Sequence, residues 1–224
     1  MKRLRKIALN LNRSDWPNDY GYQFLLRSRC LCNYIERRLK KEIVELIDST
    51  KIVITGEKRE NSQFYINSSN IACLNVPFNP ETYDLLKEHE YNAYMVNFLK
   101  EHITNEPNIC NQEANKLFDI ITDFENEGSI NKFIYKKKIN KDKKLKIILE
   151  QTLTVSEFVL KLDIQKSKES VYSKIILKTD PDELAFHYRY KDIVFEDNFL
   201  IVTSRTSEPL IKLNLDEIEH KNNT

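Results

Sequence analysis

Leu145-Lys146-Ile147-Ile148-Leu149-Glu150-Gln151-Thr152-Leu153, followed by Phe158-Val159-Leu160-Lys161-Leu162-Asp163-Ile164, decides the fold class. In the second run Phe158, Leu160, Leu162 and Ile164 alternate with Val159, Lys161 and Asp163, the period of a strand with one buried face. In the first, Leu145, Ile147 and Leu149 alternate with Lys146, Ile148 and Glu150, so the run is partly apolar on both faces. Short runs of the same β-branched and aromatic character lie around them: Phe133–Tyr135, Val171–Leu177, Phe186–Tyr190, Ile193–Phe195, Phe199–Thr203 and Leu210–Leu215. Turn formers separate these runs at Thr179–Asp182, Glu196–Asn198 and Ser207–Pro209. Strands at this spacing predict an antiparallel meander.

Towards the N-terminus the period changes. Leu31, Ile35, Leu39, Ile43 and Leu46 recur at three to four residues and predict a helix over about Ser28–Ser49. Asn79-Pro80-Glu81 reads as a helix start, with Asn as N-cap and Pro at the first turn, and the pattern continues to about Ile103. A further helix is expected over Asn111–Glu125. Strands are expected at Leu4–Leu11, Lys51–Thr55 (closed by Gly56) and Ile71–Phe78, with a turn-rich stretch at Asp15–Tyr22. Helices in the first half and strands in the second predict an α+β fold. N-terminal helices with a few strands would precede a C-terminal antiparallel β-meander packed on helices. One domain is expected over 1–224: helix-rich over residues 1–128, strand-rich over 129–216, with a polar tail over 217–224.

Composition narrows the function. Three glycines in 224 residues leave little material for a phosphate-binding loop. No Gly-x-Ser-x-Gly elbow, His-x3-His or His-Glu-x2-His spacing occurs, and no cofactor pattern is visible. Cys30, Cys32, Cys73 and Cys110 lack zinc-site spacing and are expected to be reduced thiols, consistent with a cytoplasmic chain. The start has no apolar signal core, no run is long enough for a membrane helix, and no small-molecule ligand is evident. His187, near Asp182 and Glu183, is the one acid–base arrangement that would serve a hydrolase or nuclease. The Lys136–Lys138 and Lys141–Lys146 strip beside Phe133 and Tyr135 is the corresponding nucleic-acid alternative. A sequence pI near 7.6 is low for a dedicated nucleic-acid binder.

The net charge of +1 is a cancellation. Residues 1–60 carry 14 basic and 8 acidic side chains, 61–128 carry 3 and 11, 129–178 carry 13 and 5, and 179–224 carry 5 and 10. An acidic block of this asymmetry can steer a basic protein partner. Glu81, Asp84, Glu88 and Glu101 fall outside the apolar stripe of their helix, with Tyr83 and Tyr91 as anchors near them. Glu106, Glu113, Asp119, Asp123, Glu125 and Glu127 extend the block. Asp15, Trp16 and Tyr20 in the turn-rich stretch form a second set.

Five stretches carry a resemblance: Ala8–Arg13 with Asp15-Trp16, Tyr20–Leu26, Asn75–Asn79, Phe133–Lys138 and Thr179–His187. Together they resemble a group of bacterial proteins of about this length that is similar to the immunity proteins of polymorphic and contact-dependent toxin systems. The resemblance implies a non-enzymatic, protein-binding chain without cofactor or metal. Its partner would be a cognate protein toxin, many of which are basic nucleases that an acidic patch would suit.

Overall fold

Ile7, Leu9 and Leu11 point to one side of the first strand, β1 (Lys6–Leu11), and their neighbours in the sheet continue the same rows. Three apolar rows cross β1, β2 (Lys51–Glu57) and β4 (Ala72–Pro77): Ile7–Ile52–Ala72, Leu9–Ile54–Leu74 and Leu11–Gly56–Val76. All nine residues are buried. The computed structural model describes residues 2–206 and 208–220. In it β1, β2 and β4 are parallel, and β3 (Gln63–Ile66) adds to β4 in the antiparallel sense, giving the order β1-β2-β4-β3. β3 is not expected from the sequence. Three of its four residues are exposed, so it carries no alternation to detect.

The chain divides into two units, Met1–Asn131 with Thr154–Ser156, and Lys132–Leu153 with Glu157–Thr224. In the first, α1 (Asn18–Leu39) lies against β1 and touches α3 (Tyr91–Thr104) and α4 (Asn111–Asn126). The helix expected over Ser28–Ser49 is therefore displaced by about ten residues. Phe24 extends its buried stripe towards the N-terminus, whereas Ile43 is 60% exposed. Arg3 ends the helix by donating to the carbonyls of Leu39 and Lys40, both at 2.8 Å, and so satisfies two carbonyls of the last turn. Leu46 continues the spacing but is buried from a loop.

The helix expected over 81–103 is broken. A short α2 (Pro80–Asp84) is capped by the Asn79 side chain, which accepts from the Thr82 amide at 3.2 Å. A 3-10 turn, Glu88–Glu90, follows, and α3 starts at Tyr91. Leu85 at the break is 84% exposed, and the Glu90 carboxylate accepts from the Lys87 amide at 2.7 Å. α4 matches its expected span to within a residue.

In the second unit β5 (Asn131–Asn140), β6 (Leu145–Leu153), β7 (Phe158–Lys166) and β8 (Glu169–Thr179) form a sheet in chain order, with β6–β7 and β7–β8 antiparallel. β7 is buried at every second residue, and β6 buries Ile148 as well as Ile147 and Leu149, as the patterns predict. The strand series divides into two sheets. β9 (Asp192–Glu196), β10 (Phe199–Thr203) and β11 (Ile211–Asn214) form a separate antiparallel sheet of order β11-β10-β9. Phe186–Tyr190 is not a strand. Asp182 accepts from the Leu184 amide and starts the short α5 (Glu183–Phe186), which stacks Phe186 on Phe158 at 3.7 Å between ring centroids. The expected tail begins inside α6 (Leu215–His220), and Ser207 and residues 221–224 lie outside the described residues.

Candidate protein-binding surface

The two sets of sequence candidates meet in space. Tyr20 on α1 donates to Asp84 at the end of α2 at 2.8 Å. Its ring lies 5.9 Å from Trp16 and 6.0 Å from Tyr83. Tyr83 in turn contacts Tyr91 at 5.3 Å and Tyr94 at 5.2 Å. Offset and edge-on aromatic pairs at these separations add to the area they bury and hold one another's orientation. Arg27 completes the cluster. Its guanidinium lies 4.1 Å from the Tyr91 ring and donates to the Tyr83 hydroxyl at 3.1 Å. Nothing in the sequence singles out Arg27, because its role becomes visible only when α1 is known to start ahead of it.

Burial sorts the candidates by role. Tyr83 is 1% exposed and Trp16 9%, so both belong to the core beneath the surface. Tyr20 and Tyr91 are half-buried, and Glu81, Asp84, Glu88 and Glu101 are exposed. Burial raises the Tyr83 hydroxyl to about 12 against the opposing pull of Arg27. Burial and then Asp84 raise that of Tyr20. Both therefore stay neutral hydrogen-bonding groups at physiological pH. Asp15 accepts from the Lys58 amide at 2.9 Å, which fixes a turn.

Much of the acidic block is compensated within the fold. Arg38 pairs with Asp123, Lys100 with Glu125 at 2.9 Å, and Lys116 with Glu113. Glu106 is buried and accepts from the Asn108 amide at 3.0 Å. Glu81, Glu88 and Glu101 form no ion pair among the described residues, and Asp84 has only its bond from Tyr20. Glu101 also lines a groove of about 470 Å³ together with Asn79, Thr82, Asn97, His102 and Asn105. His102 sits edge-on to Phe98 at 4.6 Å, and burial lowers its pKa against the attraction of Glu101. Its place in this groove is not legible in the sequence, where histidine spacing speaks only to metal and catalytic patterns.

The residues of the other two readings are placed differently. His187 is exposed on the turn after α5, and Asp182 caps that helix. No group of three or more His, Cys, Asp or Glu side chains among the described residues is placed to hold a metal ion. In the basic strip, Lys136 pairs with Asp192 at 3.3 Å, Lys138 donates to the Ile193 carbonyl at 2.6 Å, and Lys146 donates to Gln165 at 3.0 Å. These three lysines are engaged within the second unit, whereas Lys137, Lys141 and Lys144 of the same strip are exposed. No helix among the described residues is long and apolar enough to cross a membrane. No family model, curated protein or solved structure matches the chain.

Proposed function

We propose that this chain is a non-enzymatic protein-binding protein, an immunity protein that neutralises a cognate toxin by docking a basic surface against Glu81, Asp84, Glu88 and Glu101. The observation that carries the reading is the exposure of these four carboxylates without a cationic partner, beside the edge-on and tilted Tyr20–Tyr83–Tyr91 ring cluster. A stiff backbone limits what has to be ordered on binding, and an uncompensated acidic patch accelerates encounter with a basic partner. The groove ending on Glu101 offers Asn97 and Asn105 as further acceptors for an inserted Lys or Arg.

The test is association kinetics with the toxin encoded beside this chain. The expected result is a complex whose on-rate falls steeply as salt rises. Glu81→Lys with Glu88→Lys should slow association about tenfold or more while leaving the melting temperature unchanged. These positions are preferred to Asp84, which also holds Tyr20. No complex, or an on-rate indifferent to both salt and charge reversal, refutes the reading.

A further inference from the structure

A second concavity lies at the carboxyl ends of the parallel strands and shares only Trp16 with the cluster above. It measures about 700 Å³, within the range of small-molecule sites. Its position follows from the sheet. Asn10, Thr55 and Asn75 are register neighbours on β1, β2 and β4, one residue before β1 ends and two before β2 and β4 end. They point away from the buried rows, so the row is half-buried and polar. Strands are about 4.8 Å apart, so these three side chains present amides and a hydroxyl over about 10 Å. In open α/β sheets the carboxyl ends of parallel strands are where ligands bind.

The charges select the ligand. Arg13 and Asp19 both line the cleft and offset one another. Glu57 also lines it, but its carboxylate is held by Arg59 at 2.6 Å and by the side-chain amide of Asn12 at 3.0 Å. Asp19 stands in the first turn of α1, where it already complements the positive end of the helix. No excess of cations is present to hold a phosphate or carboxylate. The remaining wall is aromatic. Tyr22 and Tyr65 are 46% and 42% exposed, and Trp16 has a buried indole Nε1 without a hydrogen-bond acceptor among the described residues. Neutral amides with exposed rings suit a ligand that combines many hydroxyls with an apolar ring face.

We infer that this cleft binds a neutral polyhydroxylated ring, supplied either by a sugar or by the ribose of an uncharged nucleoside. Asn10, Thr55 and Asn75 would share its hydroxyls, and Tyr22 and Tyr65 would cover its ring. Trp16 is the only tryptophan in the chain, so its emission reports on this cleft.

The experiment titrates the full chain with glucose, N-acetylglucosamine and cellobiose, followed by Trp16 fluorescence. Adenosine and uridine are titrated by calorimetry, with inorganic phosphate as the charged control. Saturable binding is expected for at least one neutral probe, with Kd of about 1 mM or tighter. The arm that binds identifies the source. Asn75→Ala and, separately, Tyr22→Ala should each weaken binding about tenfold at unchanged melting temperature. The inference is overturned if no neutral probe saturates, if phosphate binds more tightly than all of them, or if neither substitution changes affinity. None of these outcomes bears on the toxin complex, which is read by a different partner and different residues.

Discussion

At the scale of single residues, Gly56 shows how closely the first unit is packed. A Cβ at this position would lie 2.7 Å from Leu11 Cδ2 and 2.8 Å from Phe78 Cβ. Gly56 therefore lets the third apolar row pass beneath Phe78, whose ring meets Trp16 at 5.3 Å and Phe24 at 5.5 Å. Gly56→Ala should destabilise by about 1–3 kcal/mol, the usual range for forcing a methyl into a filled core. Chemical denaturation measures it, and a loss within error of zero would mean that Phe78 moves aside freely. Gly128 makes a useful contrast. It has φ of +83° with nothing within 4 Å of a Cβ, so backbone conformation is its only reason for being glycine. Glycine scarcity in the sequence points to missing phosphate loops. In the structure Gly56 has a different role, the close approach of Leu11 and Phe78.

Among the elements, the β7–β8 hairpin carries a correctable strain. Its two connecting residues, Ser167 and Lys168, have φ of 52° and 76°. Two successive positive φ values are what a type I′ turn requires, and Asn-Gly is its preferred sequence. An L-residue in the left-handed region costs about 1–2 kcal/mol, less for Asn and absent for Gly. Ser167→Asn with Lys168→Gly should therefore raise stability by about 1 kcal/mol, after the entropy of the added glycine is offset. A urea midpoint that stays put or falls would count against the turn assignment. The missing Asn-Gly also explains why the sequence shows two strands here but no tight hairpin. Elements with an unbroken period were legible: β6, β7 and α4 end within two residues of their expected limits. Those whose limits depend on distant groups were not. Arg3 stops α1 after Leu39, and Asp182 turns an apolar run into α5. The candidate surface was legible in composition but not in assembly. Tyr20 and Asp84 are 64 residues apart, and no local signal joins them.

For the molecule as a whole, the buried phenols and thiols set a common response to pH. Burial raises Cys30 to about 12 and Cys32 to about 11 from 9.0, and raises Tyr34 and Tyr83 to about 12 from 10.0. It also raises Tyr94 and Tyr190. For every one of these groups the folded value lies above the unfolded one. The unfolded chain therefore releases protons first as pH rises, and the stability they contribute is present below pH 9.0 and lost above it. On the acid side the sign reverses. His102 is lowered from 6.5 by burial, so the unfolded chain takes up a proton first and stability declines as pH falls below 6.5. Asp192, which burial pushes up but which the Ile193 amide, Lys136 and Lys138 together hold below its ordinary value, adds a second loss below 3.8. The melting temperature should thus be highest between about pH 7 and 8.5 and fall on both sides. Tyr94→Phe and Tyr190→Phe should each lessen the alkaline fall, because Phe removes the ionising group and keeps the ring. His102→Gln should remove the loss between about pH 6.5 and 5 without touching the alkaline limb. A melting temperature that is flat from about pH 8 to 10.5 would show that these side chains reach solvent in the folded protein.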